Sequence, residues 1–265
     1  MKTFIIIKEK YNRRIMVVKF QIMSDLHIET CDTQPNIFDY ITPCAEILVL
    51  AGDIGRLHKH HQLKIFLEDL CKEFQYVFYV PGNSEYYRIN GIKPRKMIEL
   101  YNELELIQND IPNLFILNRS SIIIEDVCFV GCTLWTQAVM GVPNYIVRIK
   151  DISAEKYNYM FQRDLEYVEN MINYCKQNKL RMVMISHHCP SFSLAKKKDN
   201  YKFKSLYASN LDYLFDINKI HTWVYGHVHI NNDIITSGGT RMVSNQKGKP
   251  MDDVKSFVKD KVIYV

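Results

Sequence analysis

Five short, apolar, β-branched runs in this chain each stop abruptly at Asp, Asn or His, and that repeated junction restricts the fold more than any other feature. Residues 16–23 lead into Ser24-Asp25-Leu26-His27, 47–51 into Gly52-Asp53, and 76–80 into Pro81-Gly82-Asn83-Ser84-Glu85. Residues 182–186 lead into His187-His188, and 222–225 into Gly226-His227-Val228-His229. Apolar runs of this length, bounded by Gly, Pro or Asp, read as strands. Further strands are expected over 114–117, 122–124, 127–130, 241–243 and 262–265, with Glu125-Asp126 as a hairpin turn. Helices are expected over 61–74, where apolar residues fall at 63, 66, 67 and 70, and over 95–108 and 154–176. Strand–helix alternation early and hairpins later give an α/β chain, with a mixed sheet or two packed sheets flanked by helices. No repeat or Gly/Ser-rich linker divides it, so residues 16–265 read as a single domain after an N-terminal extension of 1–15.

In an open α/β sheet, ligands bind outside the carboxyl ends of the strands, where loops from several strands converge. If the five junctions meet there, they bring together two carboxylates, one amide oxygen and four or five imidazoles. Carboxylate and imidazole without thiolate suit Mn, Fe or Zn, with Mn favoured here. Two such ions about 3.5–4 Å apart would clamp both the attacking and the leaving oxygen of a displacement. Asp53 is the natural bridge, because it stands alone in a tight Gly-Asp turn.

Taken in order, the junctions resemble the calcineurin-like metallophosphoesterase superfamily, whose pattern is Asp-x-His, Gly-Asp, Gly-Asn-His-(Asp/Glu), His, then Gly-His-x-His. The match runs from Asp25 to His229. The stretches Ser186–Ser191 and Gly238–Asn245 look like members of its bacterial-type phosphohydrolase branch. The resemblance implies a β-sandwich of two mixed sheets flanked by helices. It places one metal on Asp25, His27, Asp53 and His229, and a second on Asp53, Asn83, His187 and His227. It also implies hydrolysis of phosphate mono- or diesters by direct attack of a metal-bridging hydroxide, with no phosphoenzyme.

One position departs from that pattern. Ser84 stands where the family usually carries a histidine that protonates the leaving oxygen. A serine hydroxyl donates a hydrogen bond but has no useful acidity near neutral pH. Losing a positioned general acid costs about 10²–10⁴-fold. His188, or one of His58, His60 and His61, is a candidate replacement. The alternative is a weakened or inactive phosphate-binding scaffold. Glu85 is expected to orient the Asn83 loop through hydrogen bonds.

The remaining features bear on partners and compartment. A net charge of +5, from 34 Lys+Arg against 29 Asp+Glu, falls short of the bias of a dedicated nucleic-acid binder. Lys196, Lys197, Lys198, Lys202 and Lys204, with Tyr201 and Phe203 between them, are the one place a phosphate backbone could be gripped, so nucleic acid is not the favoured partner. A phosphorylated small molecule or nucleotide is. Arg88, Arg119 and Arg148 are candidates for holding a phosphoryl oxygen, and Trp135 for a wall of the site. Seven scattered cysteines without a Cys-x-x-Cys point to a reducing, cytoplasmic setting. No apolar stretch approaches a membrane span.

Overall fold

The computed structural model describes residues 5–7, 17–195, 202–217 and 220–265. Two mixed β-sheets pack face to face, with helices on their outer faces. The first sheet has five strands: β2 (Lys19–Met23), β3 (Ile47–Leu50), β4 (Tyr76–Tyr79) and β5 (Leu114–Ile116) run parallel in that spatial order, and β12 (Val262–Tyr264) adds to β2 antiparallel. Helix α1 (His60–Glu73) crosses from β3 to β4, and α2 (Met97–Asp110) from β4 to β5.

In the second sheet, β6 (Ser120–Ile124) and β7 (Val127–Cys132) form the expected hairpin, with Glu125 at positive φ in its turn. Helix α3 (Ala154–Gln177) leads to β8 (Arg181–Ser186), parallel to β7. Beyond β8 come β9 (Thr222–Val224), β11 (Arg241–Val243) and β10 (Asp233–Ile235), the last antiparallel at the edge, while the short α4 (Asp212–Ile217) precedes β9. At the other edge β1 (Ile5–Ile7) pairs parallel with β6, so part of the N-terminal extension adds a strand.

Alternation along each strand explains the layering. On β3, Val49 points between the sheets, where Phe20, Phe78 and Phe129 meet edge to face or tilted. Leu48 and Leu50 point outward onto the apolar stripe of α1, formed by Leu63, Phe66, Leu67 and Leu70. Strands buried on both faces carry near-continuous apolar runs, which is why these runs stand out in the sequence.

On the α3 side, Arg119 Nη1 donates to Asp164 Oδ1 at 2.6 Å, and Asp164 is fully buried. This contact removes Arg119 from the candidate phosphate ligands. Burial raises the Asp164 pKa, while the Arg119 charge works against that rise. Arg119→Met is expected to cost about 2 kcal/mol in urea unfolding at neutral pH, below the 3–5 of a fully buried pair because Arg119 is partly exposed. Without the guanidinium, the folded-state pKa of Asp164 rises further above its unfolded value. The deficit against wild type therefore grows as pH rises from the wild-type folded-state pKa to that of the variant, and shrinks in acid.

Candidate metal centre

The parallel strands of both sheets deliver their carboxyl ends to one edge of the sandwich, and the junction residues converge there. Backbone hydrogen bonds tie the loops together: Asp25 N–H to the Gly52 carbonyl and Gly226 N–H to the His187 carbonyl, each at 2.9 Å. Close approach depends on small residues. A Cβ on Gly82 would overlap Asp53 Oδ1, and one on Gly226 would meet Asp25 Oδ2 at 2.7 Å.

Asp25, His27, Asp53, His227 and His229 all adopt positive φ, between 49° and 73°. Non-glycine residues avoid this region, and each such conformation costs on the order of 1–3 kcal/mol. Strain at five neighbouring residues that share one edge marks a functional site.

The side chains fall into two groups, Asp25–His27–His229 and Asp53–His187–His227, with the ligand atoms of each within 4.8 Å of one another. In the first, His27 Nε2 lies 3.3 Å from His229 Nε2, which lies 3.2 Å from Asp25 Oδ1. In the second, His187 Nε2 lies 2.9 Å from Asn83 Oδ1, 3.1 Å from His227 Nδ1 and 3.2 Å from Asp53 Oδ1. The other Asp53 oxygen, Oδ2, faces His27 Nε2 at 3.8 Å. Asp53 thus turns one oxygen toward each group.

Tautomers decide what these contacts are. His27 Nδ1 faces Glu29 Oε1 at 3.3 Å, and His229 Nδ1 faces Asp252 Oδ2 at 2.6 Å. His187 Nδ1 faces the Ala51 carbonyl at 2.9 Å, and His227 Nε2 the Leu206 carbonyl at 3.2 Å. Each ring then carries its proton on the outer nitrogen and turns a lone pair inward. Lone pairs facing one another and facing carboxylate and amide oxygens satisfy nothing among themselves. A cation in each group resolves the conflict, so the donor set fits two divalent metals.

The charges agree with this arrangement. Burial opposes ionisation of Asp25, yet positive charge on the side where His229, His187 and His27 face it, which is the side a cation would occupy, holds its carboxyl well below the usual range. Asp53 is lowered too, by His187 and His27 against burial. Burial, then His188 and His187, push His227 well down, leaving it a neutral donor.

Glu85 does orient the loops. Its Oε2 accepts from Gly82 N–H at 2.8 Å and Asp53 N–H at 3.1 Å, and its Oε1 from Ile54 N–H at 2.8 Å and Tyr79 OH at 2.6 Å. Ser84 N–H donates to Asp53 Oδ1 at 2.8 Å, while the buried Ser84 hydroxyl has no partner among the described residues.

A cavity of about 320 Å³ opens over the two groups, and Ser84 and His188 line it. Further wall residues were not apparent from the sequence, among them Tyr87, Tyr157 and Tyr207, then Ile146 and Val147, then Lys249 and Met251. His58, His60 and His61 line a separate depression with Gln34 and Ile65, so they supply no imidazole to this cavity. Arg148 bonds to Asn90 and, like Arg88, lies outside the lining. Trp135 sits behind the wall, packed on Tyr157 and His188. Lysines 196–198 and Tyr201 lie outside the described residues; Lys204 opens the turn whose Leu206 and Tyr207 reach the cavity.

Comparison with known proteins agrees with the geometry. An uncharacterized protein of Acanthamoeba polyphaga mimivirus is 28% identical, over 85% of this chain and 89% of that protein. The crystal structure of phosphopantetheinyl hydrolase from Mycobacterium tuberculosis superposes with a TM-score of 0.70 at 16% identity, over 93% of this chain and 95% of that one. A dimetal phosphatase from Danio rerio superposes with a TM-score of 0.53 at 14% identity, over 86% of each chain. The family model for calcineurin-like phosphoesterases matches residues 18–231, and the chain therefore belongs to that family of metal-dependent phosphoesterases.

Proposed function

We propose that this protein hydrolyses phosphate esters with two divalent cations, manganese favoured, one held by Asp25, His27, Asp53 and His229 and the other by Asp53, Asn83, His187 and His227. The observation that carries the reading is the pair of inward-facing donor groups with one Asp53 oxygen turned toward each. When bound, such cations supply a nucleophilic water at neutral pH and neutralise phosphoryl oxygens.

The chain's own residues position and select. Asn83 Nδ2 donates to Tyr87 OH at 2.8 Å, which aims Asn83 Oδ1 at the second group and leaves the Tyr87 proton for a phosphoryl oxygen. Among the described lining residues, Lys249 is the one lysine or arginine. A singly charged diester suits that lining better than a doubly charged monoester, and the apolar wall of Ile146, Val147 and Met251 suits an organic second arm. A cavity lined by polar groups over the donors supports an enzyme over the scaffold reading that Ser84 raises. Free cysteines and the absence of a helix long and apolar enough to cross a membrane, among the described residues, accord with a reducing cytoplasmic setting.

The test is hydrolysis of bis-p-nitrophenyl phosphate and p-nitrophenyl phosphate by metal-stripped protein, before and after reloading with Mn²⁺. Turnover is expected only after reloading, with the diester at least as fast as the monoester. Reloaded protein silent on both substrates would overturn the reading and favour the scaffold; a strong monoester preference would overturn the diester assignment.

A further inference from the structure

The four imidazoles are backed unequally. In the first group both outer nitrogens meet carboxylates, His27 at Glu29 and His229 at Asp252. In the second group both meet neutral carbonyls, those of Ala51 and Leu206. A carboxylate behind an imidazole fixes its tautomer and strengthens it as a donor more than a carbonyl does. The directly facing atoms differ in the same sense: the first group has Asp25 where the second has the uncharged amide of Asn83, and Asp53 serves both.

From this asymmetry, and resting on the reading that these groups hold metals, we infer that the centre has one tight and one loose site. The Asp25–His27–His229 side keeps its cation, the Asn83–His187–His227 side takes one from solution, and Asp252 is a positioning residue that adds to the difference. Asp252 lies beyond the stretch matched to the family, on the turn Pro250–Asp252. Lys249 N–H also donates to Asp252 Oδ2, at 2.8 Å, so the carboxylate is held in place from its own turn. Lys249 and Met251 of the same turn line the cavity, so one short segment both backs a ligand and forms part of the wall.

Calorimetric titration of the metal-stripped full chain with Mn²⁺ tests this. Two phases are expected, separated by at least about tenfold in Kd, and Asp252→Asn should weaken the tight phase by about 10–100-fold while leaving the loose one. Asn83→Ala should remove the loose phase alone. Electron paramagnetic resonance gives an independent readout: isolated Mn²⁺ after one equivalent, with spin coupling only after the second. Because Asp252 sits in a surface turn, the persistence of the loose phase in its variant also reports that the fold is intact. Two equal sites, or a tight phase indifferent to Asp252, would overturn the inference alone. Absence of any Mn²⁺ binding would sink both it and the reading beneath it.

Discussion

Ser84→His is expected to raise turnover of phosphoesters with poor leaving groups by about 10²–10⁴-fold, while leaving nitrophenyl esters little changed. An alkoxide leaves only if it is protonated as the bond breaks, and the one described lining imidazole outside the metal donor set, that of His188, is not protonated near neutral pH. His188 is held at about 3 by burial and by the neighbouring His187, so it is a neutral ring. Its Nδ1 faces the Thr133 carbonyl. Burial pushes Tyr87 well above the usual phenol range and raises Tyr157 as well.

Ser84 is the position where an acid would act. It follows the proposed ligand Asn83, its N–H touches the Asp53 carboxylate that faces both groups, and its hydroxyl has no partner among the described residues. A leaving-group series from nitrophenyl to alkyl esters measures the effect. The wild-type rate should fall steeply with leaving-group pKa, and the variant's slope should flatten, with a new loss of rate as pH rises past the introduced imidazole. Parallel slopes would show that position 84 does not face the leaving oxygen.

The same residues show how far sequence reasoning reaches. All seven expected ligands come together because each sits one to five residues beyond a strand whose apolar run is itself a strong local signal. Strand positions such as 47–50 and 241–243 are recovered without error for the same reason. Elements without that signal are missed: β10 is exposed along its whole length, and α4 is too short to show a period. Helix α2 begins two residues later than expected, where Glu99 reaches back to the Lys96 N–H at 2.7 Å.

Site residues brought in by tertiary contact leave little local trace. Glu29 stands only two residues from His27, and an Asp-x-His-x-Glu reading could have found it. Asp252 lies 23 residues from His229, and no spacing rule connects them. The arginines erred the other way. Guanidinium chemistry suits phosphate, but Arg119 is committed to a buried carboxylate that sequence alone cannot pair with it.

Glu85→Ala is expected to bring the protein close to unfolding. Glu85 is fully buried, and its two oxygens accept from three backbone N–H groups and one phenol. Truncation leaves the Asp53, Ile54 and Gly82 amides and the Tyr79 hydroxyl without partners in the interior. Each unsatisfied group costs about 1–3 kcal/mol, so the loss is upwards of about 4 kcal/mol against a total of about 5–15 for a typical protein. Glu85→Gln keeps the shape and one acceptor oxygen and should lose less, giving wild type, Gln and Ala in descending order of urea midpoint. The consequence reaches the site, because these bonds fasten the Gly52-Asp53 turn to the Gly82-Asn83 turn, and Asp53 and Asn83 face His187 Nε2 from those turns. Mn²⁺ should therefore restore less stability to the Ala variant than to wild type. If Ala and Gln unfold at the same midpoint as wild type, Glu85 does not clamp the two turns, and strand packing alone holds Asp53 against Asn83.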